Sequence, residues 1–263
     1  MAQHDIISSV KLGYINTVSK LHRRIDGREF DQYRELSIKT GVAERAEGSA
    51  LVKLGDTMVL VGVKIDQATP YPDMPNMGTM ATGVELVPFA SPSFEPGPPS
   101  HDAIEIARVV DRAIRESKLI DMEKLCITPG EKIWGVSIDV HVLDYDGNLI
   151  DAATMAAVAA LMTAKVPNSK HGMGDDAKLP LRNVVPVTCT SAKIGNILLS
   201  DPDLDEDRAA DAKLSVCLDE RGHVHAMQKT LEGAFTVDEI KSIIKTAEIN
   251  GALVREQILK SVV

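Results

Sequence analysis

The chain has 263 residues, 44% of them hydrophobic and 25% charged, the balance of a water-soluble globular protein built as one large domain or two closely joined halves. A net charge of −9 and 3% aromatic residues exclude a protein that coats nucleic acid by bulk electrostatics or stacks bases on an aromatic platform; any contact with RNA or DNA must come from a few local arginines, helped by a partner. The three cysteines, Cys126, Cys189 and Cys217, are scattered singly, which excludes a disulfide framework or a Cys-x-x-Cys metal site and reads as buried free thiols in a reducing cytoplasm.

In chain order, Ile6, Val10, Ile15, Val18 and Leu21 recur at helical spacing and predict an amphipathic helix over 5–22. A basic segment, Lys20 to Arg28, follows. Residues 34–66 read as strands, with Ser49–Leu54 and Thr57–Ile65 joined at Gly55-Asp56 and the run Met58–Val63 in a buried strand. Residues 67–82 read as a loop able to order on a partner, Gly83–Phe89 as a strand, and Ser91–Pro99 as its proline-rich end. Ser100 is placed to cap a helix over about 101–118. Ser137–Leu143 predicts a strand, Asp146-Gly147 a turn, and Ala152–Ala164 a helix of small residues. The apolar stretch near Ala152–Val166 is too short and Ala-rich to span a bilayer, and no cleavable leader pattern is visible, so neither membrane nor secretion is expected. Residues 167–182 form the one internal boundary. Strands are expected at Val184–Ser191 and Lys193–Leu199, then an acidic stretch over 201–211, a hairpin around Glu220-Arg221-Gly222, and a helix from Thr236 with a Thr236/Glu239 capping box. The two halves share an order of paired strands and a closing helix. The fold class is therefore mixed α/β, helices packed on mixed sheets.

Three features bear on chemistry. The turn before Ala152 feeds a helix N-terminus, whose free N–H groups and positive dipole end suit an anion. A phosphate-using enzyme would add Arg, Lys, Ser or Thr there. The chain instead offers Asn148, Leu149, Ile150 and Asp151. On the 101–118 helix, Ala103, Ile106, Ala107, Val110, Ala113 and Ile114 share an apolar face, while Arg108, Arg112 and Arg115 fall within roughly 60° of each other opposite it. Such a stripe fits successive phosphates of a strand, but spacing alone favours a solvated face neutralised by Glu105, Asp111 and Glu116. The acidic run from Asp201 fails as a calcium loop, because Glu206 and Ala212 stand where Gly and Glu are required, and reads as a solvated helix start. His223 and His225 lack a third ligand nearby and read as structural, and Ser49 has no base beside it. No Gly-rich phosphate loop, metal site or cofactor site is expected, and no catalytic set is identified.

Several stretches together resemble the RNase PH family: Ile25–Arg28, Gly48–Val59, Glu105–Arg112, Asp139–Gly147, the acidic 201–213 segment and Gln228–Gly233. They cover about residues 20–255 in the right order. Glu95–Pro99 and the N-terminal helix bring the match closer to the family's non-catalytic branch, the RNase PH-like subunits of archaeal exosome rings. The resemblance implies an RNase PH-type fold: a helical extension over 1–24, a first half over 25–168 and a second over 183–263, in one compact unit. Active members cleave RNA from its 3′ end with inorganic phosphate. Where they carry a phosphate-holding Arg after the Asp-Gly turn, this chain has Ile150; where they carry an Asp serving the leaving group or a metal, it has Lys213. The resemblance thus implies a silent subunit with no catalytic residues, which binds single-stranded RNA through Arg108 and Arg112, with Arg115 assisting. Its implied partners are an active RNase PH-like subunit, in a six-membered ring of three pairs, and RNA-binding cap proteins. An active phosphate-dependent exoribonuclease and an unrelated scaffolding protein are the competing expectations.

Overall fold

A computed structural model describes residues 3–262, with side chains from residue 11 onward. Its elements run α1 (Gln3–Lys20), β1 (Leu36–Thr40), β2 (Gly48–Leu54), β3 (Thr57–Ala68), β4 (Thr79–Leu86), α2 (His101–Glu116), β5 (Cys126–Thr128), β6 (Lys132–Asp144) and α3 (Leu149–Thr163). After two short strands, β7 (Lys165–Val166) and β8 (Ala177–Lys178), come β9 (Val187–Ile194), β10 (Ile197–Ser200), α4 (Leu204–Ala209), β11 (Ala212–Leu218), β12 (Val224–Thr230) and α5 (Val237–Ser261). The first large sheet is ordered β1-β2-β3-β6-β4, with β5 on β6, and the second β10-β9-β11-β12. Every pairing in these two sheets is antiparallel except β4 on β6. The fold is the mixed α/β architecture expected.

Alternation builds the first sheet: Val59, Val61, Val63 and Ile65 of β3 and Val136, Ile138, Val140 and Val142 of β6 all turn to the core. Helix α3 is buried almost all round, from Leu149 and then Asp151 to Leu161, because it lies against β2 and β3 of one sheet and β9 of the other. Its alanines let both sheets approach closely, which explains a helix with no polar face. Helix α2 packs on β4, α3 and β12, and α5 covers β9 and β11. Among the described residues, no helix is long and apolar enough to cross a membrane.

The structure moves several boundaries. β3 runs on to Ala68 and β4 begins at Thr79, so the connecting loop is only 69–78, and β4 stops at Leu86 with Phe89 exposed. The parallel pairing of β4 with β6, a contact distant in sequence, supplies the order that local composition lacked. β9 passes through Ala192 to Ile194, because β11 pairs along its whole length, and the turn falls at Gly195, whose φ of +61° suits glycine. Helix α1 ends at Lys20, with His22 in a left-handed conformation, so Leu21 is exposed instead of sharing the apolar face. Ile15 does face inward, against Ala192, Ile194, Leu199 and Ala209; Ile6 and Val10 lie outside the described side chains. Cys126 is half-buried at the short strand β5, a correction to the expectation of three buried thiols. Burial pushes the Cys217 thiol up to about 12 and that of Cys189 further, so these two are chemically quiet.

Candidate nucleic-acid interface and the cavity beside it

Ser100 starts α2 as expected: its Oγ accepts from the Ala103 N–H at 3.2 Å. Ala103, Ile106, Val110, Ala113 and Ile114 are buried, joined by Val109, whereas Ala107 is only half-buried. The arginine stripe then divides. Arg115 donates through Nε and Nη2 to Asp111 at 2.8 and 2.9 Å, and Nη2 also donates to the Met80 carbonyl at 3.0 Å. The Asp111 carboxylate holds the Arg115 guanidinium above its ordinary pKa. Arg108 and Arg112 are exposed, and among the described residues neither takes part in a hydrogen bond or salt bridge. Glu105, expected as a neutraliser, instead accepts from Gln228 at 3.0 Å. The solvated ion-pair lattice therefore exists only for Arg115. Arg108 and Arg112 are left as two free guanidiniums one helical turn apart.

Beside this face lies a cavity of about 300 Å³ at the N-terminus of α3, lined among others by Tyr145, Asn148, Ile150, Asp207, Lys213 and Ser215. Gly147, with a φ of +83°, cannot carry a side chain, because a Cβ there would sit 2.7 Å from the Leu204 nitrogen. The turn is thus pressed onto the start of α4. Ile150 brings no charge to the helix end. Lys213 donates to Asp207 Oδ1 at 2.8 Å, and the Tyr145 hydroxyl donates to Asp207 Oδ2 at 3.3 Å. Burial, then the Asp207 charge, raises the Tyr145 phenol, so it stays a neutral donor. Asp151 sits behind the cavity, fully buried, accepting from Tyr33 Oη at 2.6 Å, from Thr190 N and Oγ1 at 2.8 and 2.7 Å, and from Asn148 Nδ2 at 2.9 Å. Burial outweighs these donors and raises its carboxyl to about 6. Asp151 thereby ties the Tyr33 segment and the second sheet to α3.

The acidic stretch is not the solvated helix start expected. Asp203 does cap α4 in a capping box with Glu206, yet Asp201 and Glu206 are buried. Arg24 donates to Glu206 through Nε and Nη2 at 2.8 and 2.5 Å. Arg34 donates to Asp201 through Nε and Nη2 at 2.9 and 2.8 Å, and Arg28 Nη1 adds a bond at 3.1 Å. The basic segment thus turns two arginines inward onto the acids. No local pattern could have revealed this, since the partners are more than 160 residues apart. His223 Nδ1 and His225 Nε2 lie 2.9 and 3.2 Å from one Asp219 oxygen, and Asp219 also accepts from the Arg221 and His223 N–H groups, which fixes the hairpin tip. Ser49 is buried, its Oγ accepting from the Ala43 N–H.

Two sheets clasping an alanine-rich helix define an RNase PH-type fold. The chain belongs to the RNase PH family: domain 1 of the 3′ exoribonuclease family matches residues 32–167, and domain 2 matches residues 185–250. Among curated relatives it is 51% identical over 254 residues to the exosome complex component Rrp42 of Methanocella arvoryzae, covering 97% of each chain. It is 48% identical to the Rrp42 component of Pyrococcus abyssi, covering 100% of this chain and 98% of that one. Among solved structures, a chain of the Archaeoglobus fulgidus exosome with RNA bound to the active site superposes with a TM-score of 0.93 at 46% identity, covering 96% of this chain and 99% of that chain. A chain of an archaeal exosome core gives 0.91 at 42% identity, covering 98% and 99%.

Proposed function

We propose that this chain is a catalytically silent ring subunit of an archaeal-type exosome. It grips single-stranded RNA with Arg108 and Arg112 while an active RNase PH-like partner removes nucleotides from the 3′ end with phosphate. The full-length likeness to Rrp42 components supports the assembly, a cytoplasmic ring of three silent–active pairs that receives RNA from cap proteins. The division into a helical extension over 1–24 and halves over 25–168 and 183–263 belongs to the same reading.

The observation that carries silence is the furnishing of the α3 cavity. Ile150 occupies the position where active members hold phosphate with Arg, and Lys213, already paired with Asp207, occupies that of their acid. An attacking phosphate would meet an aliphatic side chain and an ammonium whose charge is spent on Asp207. Ile150 cannot hold the nucleophile in line, and the Lys213 ammonium has no lone pair with which to ligate a metal at the leaving oxygen. The free guanidiniums of Arg108 and Arg112 can still pair bidentately with strand phosphates. Gripping without cleaving is the chemistry that remains.

Incubating the purified chain alone with RNA and phosphate tests this. Because one lost electrostatic contact of this kind costs about 10²–10³ in rate, nucleoside diphosphate release should fall at least ~10³-fold below that of the mixed ring. Release at a comparable rate by the chain alone would overturn the proposal.

A further inference from the structure

We infer that the groove between α2 and the outer edge of β4 is a nucleobase subsite working with Arg108 and Arg112, an inference that rests on the RNA-gripping reading above. The groove is a cavity of about 430 Å³, within the range of small-ligand sites, and both free arginines line it. Its apolar floor is Val84, Ala103, Ile104 and Ala107. β4 ends its sheet, pairing only with β6. Met80 turns its carbonyl away from β6 to accept from Arg115, so by the two-residue period of a strand Thr82 and Val84 turn their N–H and C=O groups outward into the same groove. Unpaired backbone donors and acceptors at a groove wall suit the edge of a base.

Arg115 completes the site. Two bonds to Asp111 and one to Met80 lock its guanidinium as a fixed plate, with its charge already neutralised by the Asp111 carboxylate. A planar guanidinium is a stacking surface for bases, in a chain with only 3% aromatic residues. The three arginines therefore divide the work: Arg108 and Arg112 take phosphates and Arg115 takes the face of a base. The floor is aliphatic and the β4 wall is backbone, so stacking and apolar contact hold the base without selecting it, and a single unstacked base separates single strands from duplex.

The test is an abasic scan on the mixed ring, in which RNAs of one length each lack the base at a different position. One position should show about a 10-fold loss of affinity, in line with the contribution of one stacked base. Ala107→Met, which fills the groove without adding charge, should bind intact RNA as weakly and erase the loss at that position, leaving the salt dependence unchanged. No sensitive position, or one that persists in Ala107→Met, overturns the subsite. If Arg108→Glu with Arg112→Glu still weakens binding in that case, the gripping reading stands without the groove; if it does not, both fall.

Discussion

Replacing both Arg108 and Arg112 by glutamate should weaken RNA binding by the mixed ring on the order of 100-fold, taking about 1.5 kcal/mol for each charged hydrogen-bonding partner lost. The slope of log affinity against log salt should become shallower by roughly 1.4, since each phosphate contact to a single strand contributes about 0.7. Degradation by the ring should fall in step at low RNA concentration and recover at saturation, because the variant loses grip and not chemistry. Folding of the chain should be intact, as both side chains are exposed and, among the described residues, make no side-chain hydrogen bond or salt bridge, and gel filtration of the mixed ring checks that it still assembles. Arg115 is not equivalent. Its guanidinium is already neutralised by Asp111, so the charge-neutral change Arg115→Gln with Asp111→Asn should leave the salt slope nearly unchanged. Filter binding or fluorescence anisotropy across a salt series checks both variants, and an unchanged affinity in the Arg108→Glu/Arg112→Glu variant would remove RNA gripping as the role of this face.

That division among three arginines marks how far the sequence could be read. Helix α2 was legible because a capping serine and a 3.6-residue period are local properties, and so was the empty chemistry around Ile150, since the Asp-Gly turn and the following helix are contiguous. Spacing alone, however, makes Arg108, Arg112 and Arg115 equivalent. What separates them is the Met80 carbonyl at the edge of β4, a strand whose extent depends on pairing with β6 about 55 residues later. The same reason hid the inward arginines. Lys20–Arg28 reads only as a basic segment and 201–211 as a solvated acidic one, because each stretch carries the opposite half of a pairing that forms only when the chain closes. Long-range charge pairing and strand order were therefore unreadable, while capping, periodicity and turn chemistry were not.

Those buried pairs make Asp201→Asn the most destabilising conservative change expected. Asp201 is fully buried and accepts from Arg34, Arg28 and Asn148, the last at 2.7 Å. Its φ of +48° lies in the left-handed region, which asparagine tolerates as well as aspartate, so the substitution changes charge without adding backbone strain. The variant removes the buried carboxylate shared by Arg34 and Arg28, leaving them the more exposed Asp146 and Asp26, and turns an amide N–H₂ toward donors. Breaking a buried ion pair from one side costs about 3–5 kcal/mol, which for a chain of this size lowers Tm by roughly 6–12 °C or more. The pH dependence gives a second handle. Burial alone would raise the Asp201 carboxyl, yet the hydrogen bonds and charge of Arg34 outweigh it and hold it below its ordinary value of 3.8. A carboxyl lowered in the folded state adds stability above its unfolded pKa, and that increment is lost as pH falls toward the folded value. The gap between wild type and Asp201→Asn should therefore be widest above about pH 4 and narrow below it. Asp151 works in the opposite sense: raised to about 6, it favours the folded state below 3.8 and withdraws that support as pH rises through 6. Denaturant melts of both proteins from pH 3 to 7 read the difference directly. A gap that stayed constant across that range would mean that Asp201 holds the N-terminal arginines by shape and not by charge.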